Sequence, residues 1–336
     1  EIYEARKAPQ PYAGLFLNLA SNGMRVLREL GLARDVLAEG FACPRMSMWN
    51  GKGKRLGEVP NGGPTDVQEG VPSVIIRRSA LQRILMEAAV RQGIAVHYGK
   101  RLAGVQWSGE SAAKRQSPGG DVGVSGALQE RSGGPGHKAG VPDGGGRVQA
   151  RFDDGSVADG DVLIGCDGIH SKVREFVDPA APSPVYTGQV SCGGFAEGLS
   201  LPPTTGMQHF VFGKRAFFGY LVRETGEIYW FANVEHPGAP TRAELESTPT
   251  AEWRRRLLDL FRDDQPFIRE IIHATRGEIG RYPVYELPPL ARWHRGAVAL
   301  LGDAAHATSP SAGQGASMAL EDAIVLAKAL RDMPVD

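Results

Sequence analysis

At 336 residues the chain exceeds what one hydrophobic core usually organises, so two packed regions are expected. Apolar residues at 42% and charged residues at 23% exclude disorder of the whole chain. Lys+Arg and Asp+Glu each number 38, for a formal net charge of +0, which excludes the global basic excess of a nucleic-acid surface.

Residues 1–4 read as a strand that opens at Glu1 rather than Met, and a strand in that place predicts a chain that lacks the segment before it. A polar loop comes next, then a helix over residues 22–37, where Met24, Leu27, Leu30 and Leu32 recur at helical spacing and Gly31 marks a C-cap. Residues 74–76 form a short apolar strand that leads into a helix from Ser79, a good N-cap, to Gln92, with Leu81, Ile84, Leu85 and Ala88 on one face. Residues 94–98 are the next strand. Helices alternating with short buried strands predict a parallel α/β layer.

Residues 108–147 break that pattern with 12 glycines in 40 residues and no periodicity. Such a stretch cannot bury enough apolar surface to offset its ordering entropy, so it reads as a disordered insertion between strands at 102–107 and 148–152. Asp153-Asp154-Gly155 is a hairpin turn, and residues 162–166 are a strand ending at Asp167-Gly168. From Val185 the character changes: runs at 209–212, 217–222 and 228–234, separated by glycine-containing turns, predict an antiparallel sheet. A helix over 251–261, a buried strand over 298–301 and a final helix over 313–330 complete the chain. The implied division is a first part at 1–182, an inserted region at 183–285 and a return at 286–336.

Cys43, Cys166 and Cys192 show no CxxC spacing, which argues against a disulfide framework or a zinc site and fits a reducing compartment. No apolar run approaches the roughly 18 residues of a membrane span, and no signal peptide is visible. The expectation is a soluble cytoplasmic protein without a metal.

The strongest chemical signal is Leu300-Leu-Gly-Asp-Ala-Ala-His-Ala-Thr-Ser-Pro310-Ser-Ala-Gly-Gln-Gly315-Ala-Ser-Met-Ala-Leu-Glu-Asp322-Ala. A buried strand ends in Gly302-Asp303, a loop carries Pro310, and a glycine-rich turn opens a long helix. Glycine lets backbone approach a ligand, and a helix N-terminus offers unpaired N–H groups with partial positive charge. Together these suit an anionic planar ring system such as a reduced flavin, with Asp303 accepting hydrogen bonds from sugar-like hydroxyls.

This segment resembles the C-terminal FAD motif of the aromatic-ring hydroxylases, the group A flavoprotein monooxygenases that share the p-hydroxybenzoate hydroxylase fold. The resemblance implies that Gly302 and Asp303 meet the ribityl chain, that Gly313, Gln314, Gly315 and Ala316 flank the isoalloxazine, and that Pro310 lies beside the reacting flavin face. Cys166-Asp-Gly-Ile-His-Ser-Lys-Val-Arg174 resembles the family's DG motif; Asp167 is its candidate contact, Ser171 a helix N-cap, and Arg174 a partner for a carboxylate or phosphate. Arg78-Ser-Ala-Leu81 resembles a segment whose arginine contacts FAD, with Arg77 one residue away as the alternative. Glu4 fits the acid that accepts adenosine ribose hydroxyls at the end of a second Rossmann strand. Gly14 and the run Leu19-Ala-Ser-Asn22-Gly23 resemble the family's segment after that acid, with Gly14 near the cofactor.

The implied fold class is α/β, a Rossmann-like FAD-binding domain with its first strand missing and an inserted antiparallel β-sheet substrate domain. No strand followed by GxGxxG occurs in the sequence. The implied reaction is hydroxylation or epoxidation of an aromatic or polyketide-like small molecule through a flavin C4a-hydroperoxide, with NADH or NADPH as reductant and O2 as co-substrate. Phe210, Phe212, Tyr220 and Trp230 are candidates to line the substrate pocket; no catalytic residue can be named. His306 reads as structural, and His209, His236 and His273 have no partner pattern or metal-ligand spacing. The alternatives are an inert fragment of such an enzyme, or a dehydrogenase, reductase or halogenase on the same fold. A sheet without its pyrophosphate-binding strand predicts weak FAD binding or poor folding of this exact chain. Flavin stoichiometry after purification checks this: a tightly bound, one-to-one yellow complex would contradict it.

Overall fold

A computed structural model describes residues 1–8, 14–107 and 147–332. The glycine-rich insertion predicted at 108–147 falls outside the described residues except for Arg147. In chain order the first elements are β1 (Ile2–Glu4), β2 (Phe16–Leu19), α1 (Ser21–Glu29), α2 (Ala33–Glu39), β3 (Phe41–Ala42), β4 (Arg45–Asn50), β5 (Arg55–Pro60), β6 (Val74–Arg77), α3 (Arg78–Arg91) and β7 (Val96–Tyr98). Next come β8 (Leu102–Trp107), β9 (Val148–Phe152), β10 (Val157–Gly160), β11 (Leu163–Gly165), α4 (Lys172–Val177), β12 (Val185–Ala196), β13 (Met207–Phe212), β14 (Phe217–Val222) and β15 (Ile228–Glu235). The last are α5 (Arg242–Ser247), α6 (Thr250–Leu260), α7 (Pro266–His273), β16 (Gly280–Glu286), β17 (His294–Arg295), β18 (Val298–Leu300), α8 (Asp303–His306) and α9 (Gly315–Asp332).

The single helix expected over 22–37 is two helices. Gly31 takes φ 74°, and the Leu32 amide donates back to Leu27 O at 2.8 Å while the Gly31 amide donates to Arg28 O at 2.9 Å. These two bonds close the first helix on a left-handed glycine, which a side chain would strain. Apolar periodicity carries through the break because Met24, Leu27 and Val36 reach the same core. Ser79 is not an N-cap: α3 starts at Arg78, with Arg77 as its uncapped boundary. The final helix starts at Gly315 rather than Gly313, since Pro310–Ala312 makes one 3-10 turn and Gly313 sits after it at φ 61°.

The expected parallel layer is also only partly present. Strand β6 runs antiparallel to both β2 and β3, whereas β1 with β7 and β11 with β18 are the parallel pairs of this part of the chain. Short strands of either kind look alike in a sequence window when both faces are buried, as in Val74-Ile75-Ile76.

The antiparallel region is a seven-stranded sheet in the order β16-β12-β15-β14-β13-β4-β5. Its last two strands come from residues 45–60, which the sequence division had assigned to the first part, and β4 joins β13 in parallel. Period-two alternation gives this sheet two different faces. Register aligns His209, Tyr220 and Trp230 across β13, β14 and β15 on one face, together with Phe218 and Ala232. That face packs under α5, α6 and α7 through Leu245, Trp253, Leu257, Phe261, Ile268 and Ile271. The opposite face presents Phe210, Phe217 and Phe231 and turns toward β2, where Phe16 meets Phe231 at 6.0 Å and Tyr229 at 5.3 Å between ring centroids.

On the helix-covered face, His209 stacks on Trp49 and lies 3.4 Å from the Tyr220 hydroxyl. Burial holds His209 below its ordinary value, and raises the Tyr220 hydroxyl to about 12. The unfolded chain therefore binds the His209 proton more readily than the folded one. This contribution to stability is intact above about 6.5 and is lost as pH falls toward the depressed value. Thermal melts between pH 7 and pH 5 should show a falling Tm that His209→Gln makes shallower; identical pH slopes for the two proteins would exclude the effect.

Candidate cofactor site

Two acids emerge at neighbouring strand ends. The parallel register Leu163↔Val298, Ile164↔Ala299, Gly165↔Leu300 puts Asp167, just past β11, and Asp303, just past β18, at the same carboxyl edge. In open α/β sheets that edge is where ligands bind. The Leu301 amide donates to Gly165 O at 3.0 Å and extends the pairing to the turn itself.

At that turn the chain reverses on Gly302, whose φ of 57° and ψ of −138° would strain an L side chain. A Cβ there would also lie 3.0 Å from Ala319 Cβ, so the turn lies flat on α9. This close approach brings the Asp303 carboxylate to the mouth of α9: a Cβ built on Gly315 would be 3.8 Å from Asp303 Oδ1. The two features expected to share one ligand are therefore neighbours. Asp303 is exposed and its carboxylate has no hydrogen-bond or ion-pair partner among the described residues. The first intrahelical bond at this end is Met318 N to Gln314 O at 2.9 Å, so the amides of Gly315, Ala316 and Ser317 precede the helical ladder. No acidic residue stands in the first turn of α9 to consume its partial positive charge.

Strand β2 forms the other wall. Asn18 donates from Nδ2 to Gly313 O at 3.3 Å, and a Cβ on Gly313 would meet that nitrogen at 3.1 Å. Asn61 in turn donates to Asn18 Oδ1 at 3.3 Å and to Cys43 O at 2.8 Å. The Ala20 amide donates to Ser317 Oγ at 3.0 Å, and a Cβ on Gly23 would overlap Ser317, which brings the starts of α1 and α9 together. Residues 19–23, read as the segment after the strand-terminal acid, thus pack against the start of α9. Asn18 and Ser317 are polar contacts that motif reasoning missed. The available signal for Asn18 was one polar residue inside the apolar strand Phe-Leu-Asn-Leu.

The remaining candidates divide. Gly14, at φ 82°, lies against Arg78, whose Cδ would be 3.3 Å from an added Cβ, and the Arg78 amide donates to Leu15 O at 3.0 Å. Arg78 is exposed with no ion pair among the described residues. Arg77 is committed elsewhere: it pairs with Glu227, donates from Nε to the Tyr229 hydroxyl at 3.1 Å and lies 3.7 Å above the Phe195 ring. Of the two arginines, Arg77 has protein partners and Arg78 has a side chain free of ion pairs among the described residues. Asp167 accepts from Ser171 Oγ at 2.5 Å, Lys172 N at 2.7 Å and Val173 N at 3.2 Å, so it caps α4 beside Ser171, which accepts from Arg174 N at 2.9 Å. Among the described residues Arg174 makes no ion pair with a carboxylate. It is buried and donates to Ala304 O at 3.0 Å and Ile169 O at 2.6 Å, which ties α4 to the turn after β18. Glu4 accepts from Arg6 N at 2.8 Å at the end of β1, and among the described residues no contact links it to Asp303. Pro310 opens the 3-10 turn between α8 and α9, and Gln314 and Ala316 stand at the helix start.

The four pocket candidates also separate. Phe210 and Phe212 belong to the face turned toward β2, but Tyr220 and Trp230 lie under the helices, and Trp230 is fully buried with Nε1 donating to Thr275 Oγ1 at 2.9 Å. Trp230 is a core residue and the half-buried Tyr220 packs against the same cluster, because alternation sends cross-strand partners of His209 away from Phe210. Phe217 and Phe231, which the sequence reading left out, take their place on the inner face beside Gly193 and Gly219. A Cβ on Gly219 would be 2.2 Å from Phe231 Cε1, so that glycine lets the Phe231 ring lie flat on the sheet.

The donor set fits a flavin dinucleotide: an unpartnered carboxylate for hydroxyls, a bare helix mouth for the pyrimidine edge, and a guanidinium at Arg78 near a left-handed glycine. Arg77→Ala should lower Tm, because it removes the Phe195 stack and one of the two arginines paired with Glu227, leaving Arg223 at 3.5 Å. Arg78→Ala should hold Tm within about 0.5 kcal/mol of stability while weakening FAD binding in a fluorescence titration. The reverse pattern would return the cofactor contact to Arg77.

The profile of the FAD binding domain family matches residues 141–333, more than half of the chain. Over 94% of its length the chain is 29% identical to the aurachin C monooxygenase/isomerase of Stigmatella aurantiaca, covering 70% of that protein. A stretch of 55% of the chain is 37% identical to the FAD-dependent urate hydroxylase of Klebsiella oxytoca, covering 47% of it. The crystal structure of Klebsiella pneumoniae HpxO complexed with FAD and uric acid is similar with a TM-score of 0.76 at 25% identity, over 99% of this chain and 74% of that one. Among the described residues no helix is long and apolar enough to cross a membrane. The matches in sequence and in structure agree: the chain belongs to the FAD binding domain family, among the FAD-dependent hydroxylases and monooxygenases of p-hydroxybenzoate hydroxylase-like fold.

Proposed function

We propose that the protein acts as an NAD(P)H- and O2-dependent flavin monooxygenase that hydroxylates or epoxidises an aromatic or polyketide-like small molecule. The observation that carries this reading is the approach of the Asp303 carboxylate to the uncapped start of α9 at the carboxyl edge of the β11–β18 pair. FAD, when bound, supplies the electron transfer and the oxygen activation. The protein's own groups hold and orient it. Asp303 accepts from hydroxyls of its sugar-like chain, and the α9 amides favour negative charge at the ring edge. Gly313 and Gly315 let backbone approach the ring where side chains would intrude. Arg78 and Gly14, which lie against each other, would hold a further part of the cofactor.

For the substrate, the inner face of the sheet offers Phe210, Phe217 and Phe231, whose ring centroids lie 5.3–6.2 Å apart. Rings at this spacing favour a flat apolar guest through edge and offset contacts, and they exclude water from the reacting centre. The naming of the relatives as a monooxygenase and a hydroxylase supports the same reading.

The test combines flavin and oxygen measurements. FAD titration should give saturable binding, and a panel of phenols with NADH or NADPH under 18O2 should give a product carrying one labelled oxygen. Nicotinamide oxidation without labelled product would replace this reading by a reductase or dehydrogenase. Phe231→Ala should raise KM for the accepted phenol more than it lowers kcat, because uniform binding is lost while the cofactor stays in place.

A further inference from the structure

We propose that Asp322 is a positioning residue for the cofactor site, with His306 as its second hydrogen-bond partner; the inference rests on the FAD reading above. Asp322 Oδ2 accepts from the Gly302 amide at 2.9 Å and contacts His306 Nε2 at 2.5 Å. Gly302 immediately precedes Asp303, and the His306 amide returns to Gly302 O at 2.9 Å, so one carboxylate oxygen grips both ends of the four-residue helix α8.

Helical periodicity explains why this grip bears on the ligand. Residues 315, 319 and 322 are spaced i, i+4, i+7 and fall on one face of α9. Along that stripe Gly315 faces Asp303, Ala319 supports Gly302, and Asp322 holds Gly302 and His306. The stripe therefore sets the distance between the hydroxyl-accepting acid and the amide-bearing helix start. A flavin has to touch both at once, so an error in that spacing is felt as lost affinity and as an altered ring environment. His306 is held in turn: its ring lies 5.4 Å from the Trp293 ring, and its Nδ1 is buried without a partner among the described residues. That arrangement places the proton on Nε2, toward Asp322, because a buried Nδ1–H would be unsatisfied.

The experiment compares the unsubstituted chain with Asp322→Ala, Asp322→Asn and the remote core variant Leu257→Ala, each titrated with FAD and followed by flavin fluorescence and by the visible absorption and midpoint potential of the bound flavin. Asp322→Ala removes the acceptor for two hydrogen bonds and should weaken FAD binding about ten- to a hundred-fold, with a shifted absorption band and potential. Asp322→Asn keeps an acceptor for the Gly302 amide and should give an intermediate loss, which remains measurable if the alanine protein does not fold. Leu257→Ala should lower Tm and leave affinity and spectrum of the folded fraction unchanged. Unaltered affinity, spectrum and potential in Asp322→Asn and Asp322→Ala would overturn the positioning role. Absence of even weak, saturable FAD binding by the folded, unsubstituted chain would instead overturn the cofactor reading itself.

Discussion

The site depends on one close contact, the flat seat of the Gly302 turn on α9. Only a residue without Cβ can occupy φ 57° there while Ala319 stands behind it. The contact joins a strand end to a helix start that are separated by a 3-10 turn and a left-handed glycine. Without it, Asp303 would be one more exposed acid and the α9 amides one more solvated helix end. Close backbone approach is what brings these two ordinary features together.

Several polar groups around this contact are satisfied in a way that favours rigidity. Arg174 spends its guanidinium on the carbonyls of Ile169 and Ala304, Ser317 accepts the Ala20 amide, and Asn18 bridges Gly313 and Asn61. Each of these side chains is used to fix backbone, whereas the Asp303 carboxylate has no such partner among the described residues. Buried polar atoms that lack a partner are costly, so such networks tend to specify one arrangement. The same logic separates Arg77 from Arg78. The former is consumed by Glu227, Tyr229 and Phe195 across two packed layers, and the latter is left beside Gly14.

The large sheet shows what alternation does to a substrate pocket. Its outer face is an apolar core under α5 to α7, with Trp230 and Phe218 stacked at 5.5 Å. Its inner face carries rings of the same chemical type that remain half-buried beside β2. Aromatic composition is similar on both sides, so hydrophobicity alone cannot tell a core position from a lining position. Cross-strand register can, and register depends on pairing partners far away in the chain, including β4 and β5 from residues 45–60.

Much of the cofactor site was legible in the amino-acid sequence because it is local. Strand, turn, glycines and helix lie within residues 298–322, and helical periodicity with glycine stereochemistry dictates their geometry over that range. The long strands β13 to β15 were legible for the same reason, through runs of β-branched and aromatic residues. Tertiary structure alone decided the rest: that β6 pairs antiparallel, that Tyr220 and Trp230 face the helices, and that Arg174 binds the carbonyl of Ala304. Each of these outcomes turns on which distant segment supplies a hydrogen-bond partner or a packing surface. A local window carries the propensity of its own residues and no record of the neighbour that completes them.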